Sequence, residues 1–169
     1  EDKKGNVVSG TFTIENIAAN IAFNVQDGSH QYFWQFRSDS KTLKKHTQIG
    51  NNIAVYGAEV PIVLNDGENT FLIATVGDKI YTYLNDELID VCDVNKELPT
   101  SGGFGIRNGG SESSYISNLN VGSNLKYTVS TTVTAEEKVQ VNKNFLNKTI
   151  EYAKQQKEAA QQFRMIART

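Results

Sequence analysis

Between Gln31 and Arg37 two kinds of side chain alternate, and one of the two sets is equipped to hold hydroxyl groups. Tyr32, Trp34 and Phe36 share one parity, and Gln31, Phe33, Gln35 and Arg37 share the other. Successive side chains of a strand point to opposite faces, so the first set reads as core and the second as an outward face. A carboxamide or a guanidinium presents paired polar atoms in one plane, which suits neighbouring hydroxyls taken two at a time. The same alternation turns Ile21, Phe23 and Val25 inward with Asn24 and Gln26 outward, and Phe104 and Ile106 inward with Arg107 outward. If these strands share a sheet, Asn24, Gln26, Gln35, Arg37 and Arg107 form one polar patch. Tyr81 and Tyr83 alternate with Ile80, Thr82 and Leu84 and therefore face outward, where an aromatic ring can stack on the apolar face of a saturated ring. Glu112 lies among glycines in a connecting loop, a common place for binding residues. The candidate ligand-binding set is Gln26, Gln35, Arg37, Tyr83, Arg107 and Glu112.

Each of these residues has a plainer use. Arg37 and Arg107 can be solvated or can pair with Asp39 or Glu112, and Tyr83 can pack beneath another segment of the chain. Hydrolytic chemistry finds less support. Glycoside hydrolysis needs two carboxylates roughly 5 to 10 Å apart across the bond, and the closest acidic cluster, Asp86, Glu87 and Asp90, begins at a turn. His30 and His46 are isolated and lack metal-ligand spacing. Cys92 is the single cysteine, set in the alternating run Leu88-Ile89-Asp90-Val91-Cys92, where it reads as a small buried hydrophobe rather than a nucleophile. Asp66, Asp78 and Asp93 are scattered turn carboxylates with no linear chelating loop. Calcium stays open as a cofactor only through carbonyl ligands that no motif would reveal.

The elements that must position these groups are short strands. From Val7 to Val121 segments of period two recur, at Thr11–Ile14, Ile21–Val25, Gln31–Arg37, Ile53–Val63, Thr70–Val76, Lys79–Leu84, Leu88–Val91, Gly103–Arg107 and Tyr115–Val121. Turn residues separate them, among them Asp27-Gly28-Ser29, Asn65-Asp66-Gly67 and Asn85-Asp86. That pattern predicts an all-β antiparallel sandwich over residues 1–127. After Tyr127 the composition changes. Residues 128–133 read as a linker, and Thr134-Ala135-Glu136-Glu137 fits a capping box opening a helical segment over 134–169, with Val141, Phe145, Ile150, Ala153, Ala160 and Phe163 as its apolar stripe. Such a stripe must lie on the sandwich, on a second copy of the chain or on partner helices, so self-association through it is an open partner. The 169 residues are 38% hydrophobic, with a net charge of −2 and a pI near 5.7. No basic patch calls for nucleic acid, and no apolar run is long enough to span a membrane. The charged start, Glu1-Asp2-Lys3-Lys4, reads as an excised domain boundary.

Several of these segments resemble a known superfamily. Tyr83-Leu84-Asn85-Asp86-Glu87-Leu88-Ile89, the strand Ser101 to Gly110, the strand Ser114 to Val121, and the pair Phe23–Asp27 and Tyr32–Phe36 are similar, in order and spacing, to motifs of concanavalin- and laminin-G-like sandwiches. The likeness extends to carbohydrate-binding module family 66 and to domains attached to bacterial glycoside hydrolases. It implies a jelly-roll sandwich and a non-catalytic glycan-binding module within a larger secreted or wall-attached bacterial protein, whose partners are a glycan and the other domains of that polypeptide. A structural or protein-interaction spacer is the alternative, and a glycan-active enzyme a third. Ser117 departs from the family pattern, which carries Asp there, and so removes a carboxylate from any calcium site that used it. The tail, at Val141-Asn142-Lys143 and Leu146 to Ala153, resembles the start of a FIVAR module, a helical repeat of Gram-positive surface proteins and secreted glycosidases.

Overall fold

In the computed structural model, the backbone is described for residues 2–128 and the side chains for residues 6–121. The expected linker, helical segment and FIVAR-like motif at 128–169 lie outside the described residues, apart from Thr128, which ends the last strand.

The described residues are all β. The strands are β1 (Asp2–Asn16), β2 (Ala18–Asp27), β3 (His30–Arg37), β4 (Thr42–Ile49), β5 (Asn52–Val55), β6 (Val60–Pro61), β7 (Glu68–Val76), β8 (Lys79–Leu84), β9 (Glu87–Asp93), β10 (Gly103–Arg107) and β11 (Ser113–Thr128). They form two antiparallel sheets. One has the order β11-β1-β7-β8-β9; the other has the order β10-β2-β3-β4-β5, with β6 pairing the opposite end of β4.

The inner faces meet in an aromatic core. Trp34, Tyr32, Phe36 and Phe12 are fully buried, and Phe23 nearly so. Phe12 stacks on Phe36 with ring centres 5.0 Å apart, and Phe23 meets Trp34 edge-on at 4.7 Å. These are the offset and T-shaped arrangements that ring quadrupoles favour. Trp34 is core, as its parity predicts, and its indole Nε1 donates to Thr82 Oγ1 of the facing sheet at 2.7 Å. A second bridge joins the sheets where Lys45 Nζ donates to Asp90 Oδ2 at 2.8 Å.

Three expectations change. Asn24 does not face outward. The β2–β3 register shifts between Phe23 and Asp27, Asn24 adopts a left-handed φ of 49°, and its side chain turns into the core. There it accepts from Asn6 Nδ2 at 2.6 Å and donates to Thr75 Oγ1 at 2.9 Å. A β-bulge adds one residue to a strand and so reverses the parity beyond it. The second change is β4, which period-two reading overlooks: its inner residues Leu43, Lys45 and Thr47 are hardly more apolar than the outer Lys44, His46 and Gln48. Third, the single strand expected over Ile53–Val63 is two, because the chain turns at Gly57, whose φ is +80°.

Candidate functional site

The outer face of the β10-β2-β3-β4-β5 sheet is a grid set by strand register. One row runs Arg107, Asn20, Gln35, Lys44 across β10, β2, β3 and β4. The next runs Gly105, Ala22, Phe33, His46, Val55. Arg37 follows Gln35 on the same face of β3, beside Thr42 of β4.

Glu112 is the hub of the first row. It reaches over the sheet from the turn between β10 and β11. The loop is anchored where Asn16 Nδ2 donates to the Ser111 carbonyl at 2.6 Å. Gly109 lets the Glu112 carboxylate come this close, since a Cβ there would lie 2.8 Å from it and push the side chain aside. Asn20 Nδ2 and the Gly109 amide donate to Glu112 Oε2 at 2.7 and 2.8 Å, and Gln35 Nε2 donates to Oε1 at 2.6 Å. Arg37 Nη1 stands 3.9 Å from the same Oε1 and donates to Gln35 Oε1 at 2.9 Å. A carboxylate oxygen accepts about two hydrogen bonds. Oε2 is therefore filled, while Oε1 keeps one acceptor position.

Arg37 is fixed from its other side by Asp39, to which Nε and Nη2 donate at 3.0 and 2.6 Å. This fork raises the Arg37 pKa and lowers that of Asp39, each chiefly through the hydrogen bond to the other.

Arg107 builds a second tier. Its guanidinium carbon lies 4.3 Å from the centre of the Phe33 ring, two strands away, and Nη1 donates to Gln48 Oε1 at 3.0 Å. It can cross β2 because Ala22, the partner of Phe33, ends at Cβ. Phe33 also stacks on His46, with ring centres 4.5 Å apart and planes 6° from parallel. Burial, followed by the nearby Lys44 and Arg107 charges, lowers the His46 pKa.

Of the six candidates, Gln35, Arg37, Arg107 and Glu112 come together on this face. Gln35 is largely buried under its neighbours and acts by holding Glu112. Gln26 is exposed but lies beyond the Asn24 bulge, and it makes no contact with the other candidates among the described residues. Tyr83 does face outward, but from the other sheet, and so cannot share a site with Arg37. It is 6% exposed, packs with Val7, Leu72 and Ala74, and burial pushes its hydroxyl up to about 12. Phe104 and Ile106 pair with the inward-facing Phe23 and Ile21 as expected, yet remain about half exposed because β10 is a sheet edge.

Sequence reading missed Asn20, Gln48 and Lys44 as parts of this face. Asn20 was within reach, since extending the Ile21, Phe23 alternation back by one residue places it outward. Gln48 and Lys44 lie on the overlooked β4. Cys92 is partly buried against the core, and burial raises its thiol pKa to about 11, which keeps it neutral. Asn85 and Asp86 form the β8–β9 turn, both with positive φ. Among the described residues no group of three or more His, Cys, Asp or Glu could hold a metal ion.

No protein-family model and no curated protein matches this chain. Its fold is similar to that of the carbohydrate-binding module CBM66 from Bacillus subtilis, with a TM-score of 0.60, 16% identity, and 72% of this chain and 76% of that one covered. It is also similar to sheep galectin-11 in complex with glycerol, with a TM-score of 0.55, 6% identity, and 69% and 89% coverage. The galectin LEC-6 of Caenorhabditis elegans aligns with a TM-score of 0.52 and 12% identity over 70% of this chain and 82% of its own. At these identities the likeness establishes the sandwich fold.

Proposed function

We propose that this domain is a non-catalytic carbohydrate-binding module whose ligand rests on the outer face of the β10-β2-β3-β4-β5 sheet. One observation carries the reading. The Glu112 carboxylate is held by Asn20, Gln35 and the Gly109 amide beside the Arg37 guanidinium, away from the core, with one acceptor position on Oε1 still open. A hydroxyl that donates to Glu112 while its neighbour accepts from Arg37 is a vicinal diol, the recurring unit of sugars. The groups are fixed before ligand arrives, so little ordering entropy is lost on binding. The fold likeness to a carbohydrate-binding module supports the same reading. So does the sequence resemblance to modules attached to glycoside hydrolases, from which we infer an accessory role in a secreted or wall-attached bacterial protein. There it would raise the effective concentration of its parent near a glycan.

Glycan-array screening followed by calorimetry on any hit tests this. Glu112→Ala should weaken binding about 30-fold, the equivalent of about 2 kcal/mol for a hydrogen bond to a charged group. A folded protein that binds no glycan, or a hit indifferent to Glu112→Ala, would refute the assignment and favour a spacer.

A further inference from the structure

The charges on the binding face are segregated. Arg37 lies among the acids: Asp39 forks onto it, Glu112 is 3.9 Å away, and Glu59, which accepts from Thr42 Oγ1 at 2.9 Å, adds its field. The remainder of the face is cationic. Arg107 holds only the Gln48 amide oxygen and the Phe33 ring, so its Nε and Nη2 are uncommitted to any described residue. Lys44, at the other end of the Arg107–Asn20–Gln35 row, is part-exposed and has no ion pair with a described residue. The charges that lower the pKa of His46, between them, are all positive: Lys44, Arg107 and Arg37. This stands out in a chain of net charge −2.

Apolar surface borders the same region. Val55 pairs with His46 and Ile53 with Gln48, which places both on the outer face of β5, where they are 55% and 49% exposed. A guanidinium stacked on an aromatic ring, with free N–H groups beside a half-exposed aliphatic edge, suits a ligand with an anionic planar group and an apolar ring face. A carboxylate matches the guanidinium fork better than a hydroxyl, because two parallel charge-assisted bonds can form.

Building on the carbohydrate-binding role proposed above, we infer that the ligand is an acidic saccharide whose carboxylate is bound by Arg107, with Lys44 adding its positive field and the ring against Val55 and Ile53. Glu112 and Arg37 then select the hydroxyls, and Arg107 and Lys44 select the charge.

The test compares the full chain's affinity for oligogalacturonate and for a hyaluronan tetrasaccharide with its affinity for the methyl ester of each. The esters keep every hydroxyl and lose only the negative charge. The acids should bind at least 10-fold more tightly than their esters. That preference should shrink several-fold between 50 and 500 mM salt, as charge pairing is screened. Arg107→Gln and Lys44→Gln should each reduce it, and circular dichroism should show both variants folded. Equal affinity for acid and ester, or binding of neutral glycans alone on an array, overturns the acidic ligand while leaving the carbohydrate-binding role intact. Binding of no glycan of either kind overturns both.

Discussion

His46 shows how the face imposes a state on a single residue. Its ring is stacked on Phe33, its Nδ1 is buried without a partner among the described residues, and burial together with the Lys44 and Arg107 charges lowers its pKa below the usual 6.5. A proton is therefore bound more weakly in the folded state than in the unfolded one. Stability from this group is complete above about pH 6.5 and falls as the pH drops below that value, until the folded ring also titrates. Replacing His46 with Gln should flatten the stability profile below about pH 6.5, where the unfolded ring takes up its proton and the folded ring resists it. Denaturant midpoints across that range would measure the profile, and a ring titration by NMR would give the folded pKa directly. A His46 ring titrating at or above 6.5 would contradict the cationic environment described for this face.

The candidate face depends on β10 more than on any other strand, since β10 carries Arg107 and leads into the Glu112 turn. Its seating on β2 begins at Gly102, whose φ is +152° and where a Cβ would fall 2.6 Å from the Val25 carbonyl oxygen. That contact is with backbone, so no side chain can yield. Gly102→Ala should cost about 1 to 3 kcal/mol. It should also weaken glycan binding, because a displaced β10 carries the guanidinium off Phe33. Parallel thermal melts and calorimetry would detect the two effects together. Loss of stability with undiminished affinity would mean that β10 is not what positions the site. The bulge at Asn24 does a related job on β2: it turns that side chain into the core, where it ties Asn6 to Thr75, and leaves Asn20 as the β2 residue that reaches Glu112.

Taken whole, the sandwich is held by aromatic burial and by a few polar bridges across the core. Lys45 and Asp90 form the charged one, with side chains 5% and 14% exposed. Truncating one partner of such a pair leaves the other charge poorly solvated. Lys45→Ala should therefore destabilise the domain by about 3 kcal/mol, read as a lower denaturant midpoint with an unchanged slope. A shift below about 0.5 kcal/mol would mean that solvent reaches Asp90 freely and that the bridge adds little. Lys45 lies on the inner face of β4 and the candidate site on the outer face, so glycan affinity should survive in the folded fraction.

Much of this protein was legible in its sequence, and the reason is local. Period-two alternation is a property of each strand, so the inward set of Tyr32, Trp34 and Phe36 and the outward set of Gln35 and Arg37 could be assigned before any strand was paired. Turn residues such as Asn85-Asp86 marked the connections for the same reason. Pairing and parity beyond a bulge are not local. Nothing near Tyr83 says that its sheet lies on the far side of the core from Arg37. A single extra residue in β2 reversed Asn24, and a strand as polar as β4 reveals itself only through its partners β3 and β5. Glu112, Asn20 and Arg37 meet because register aligns β10, β2 and β3. That register is decided by burying the whole inner face at once, which only the tertiary structure does.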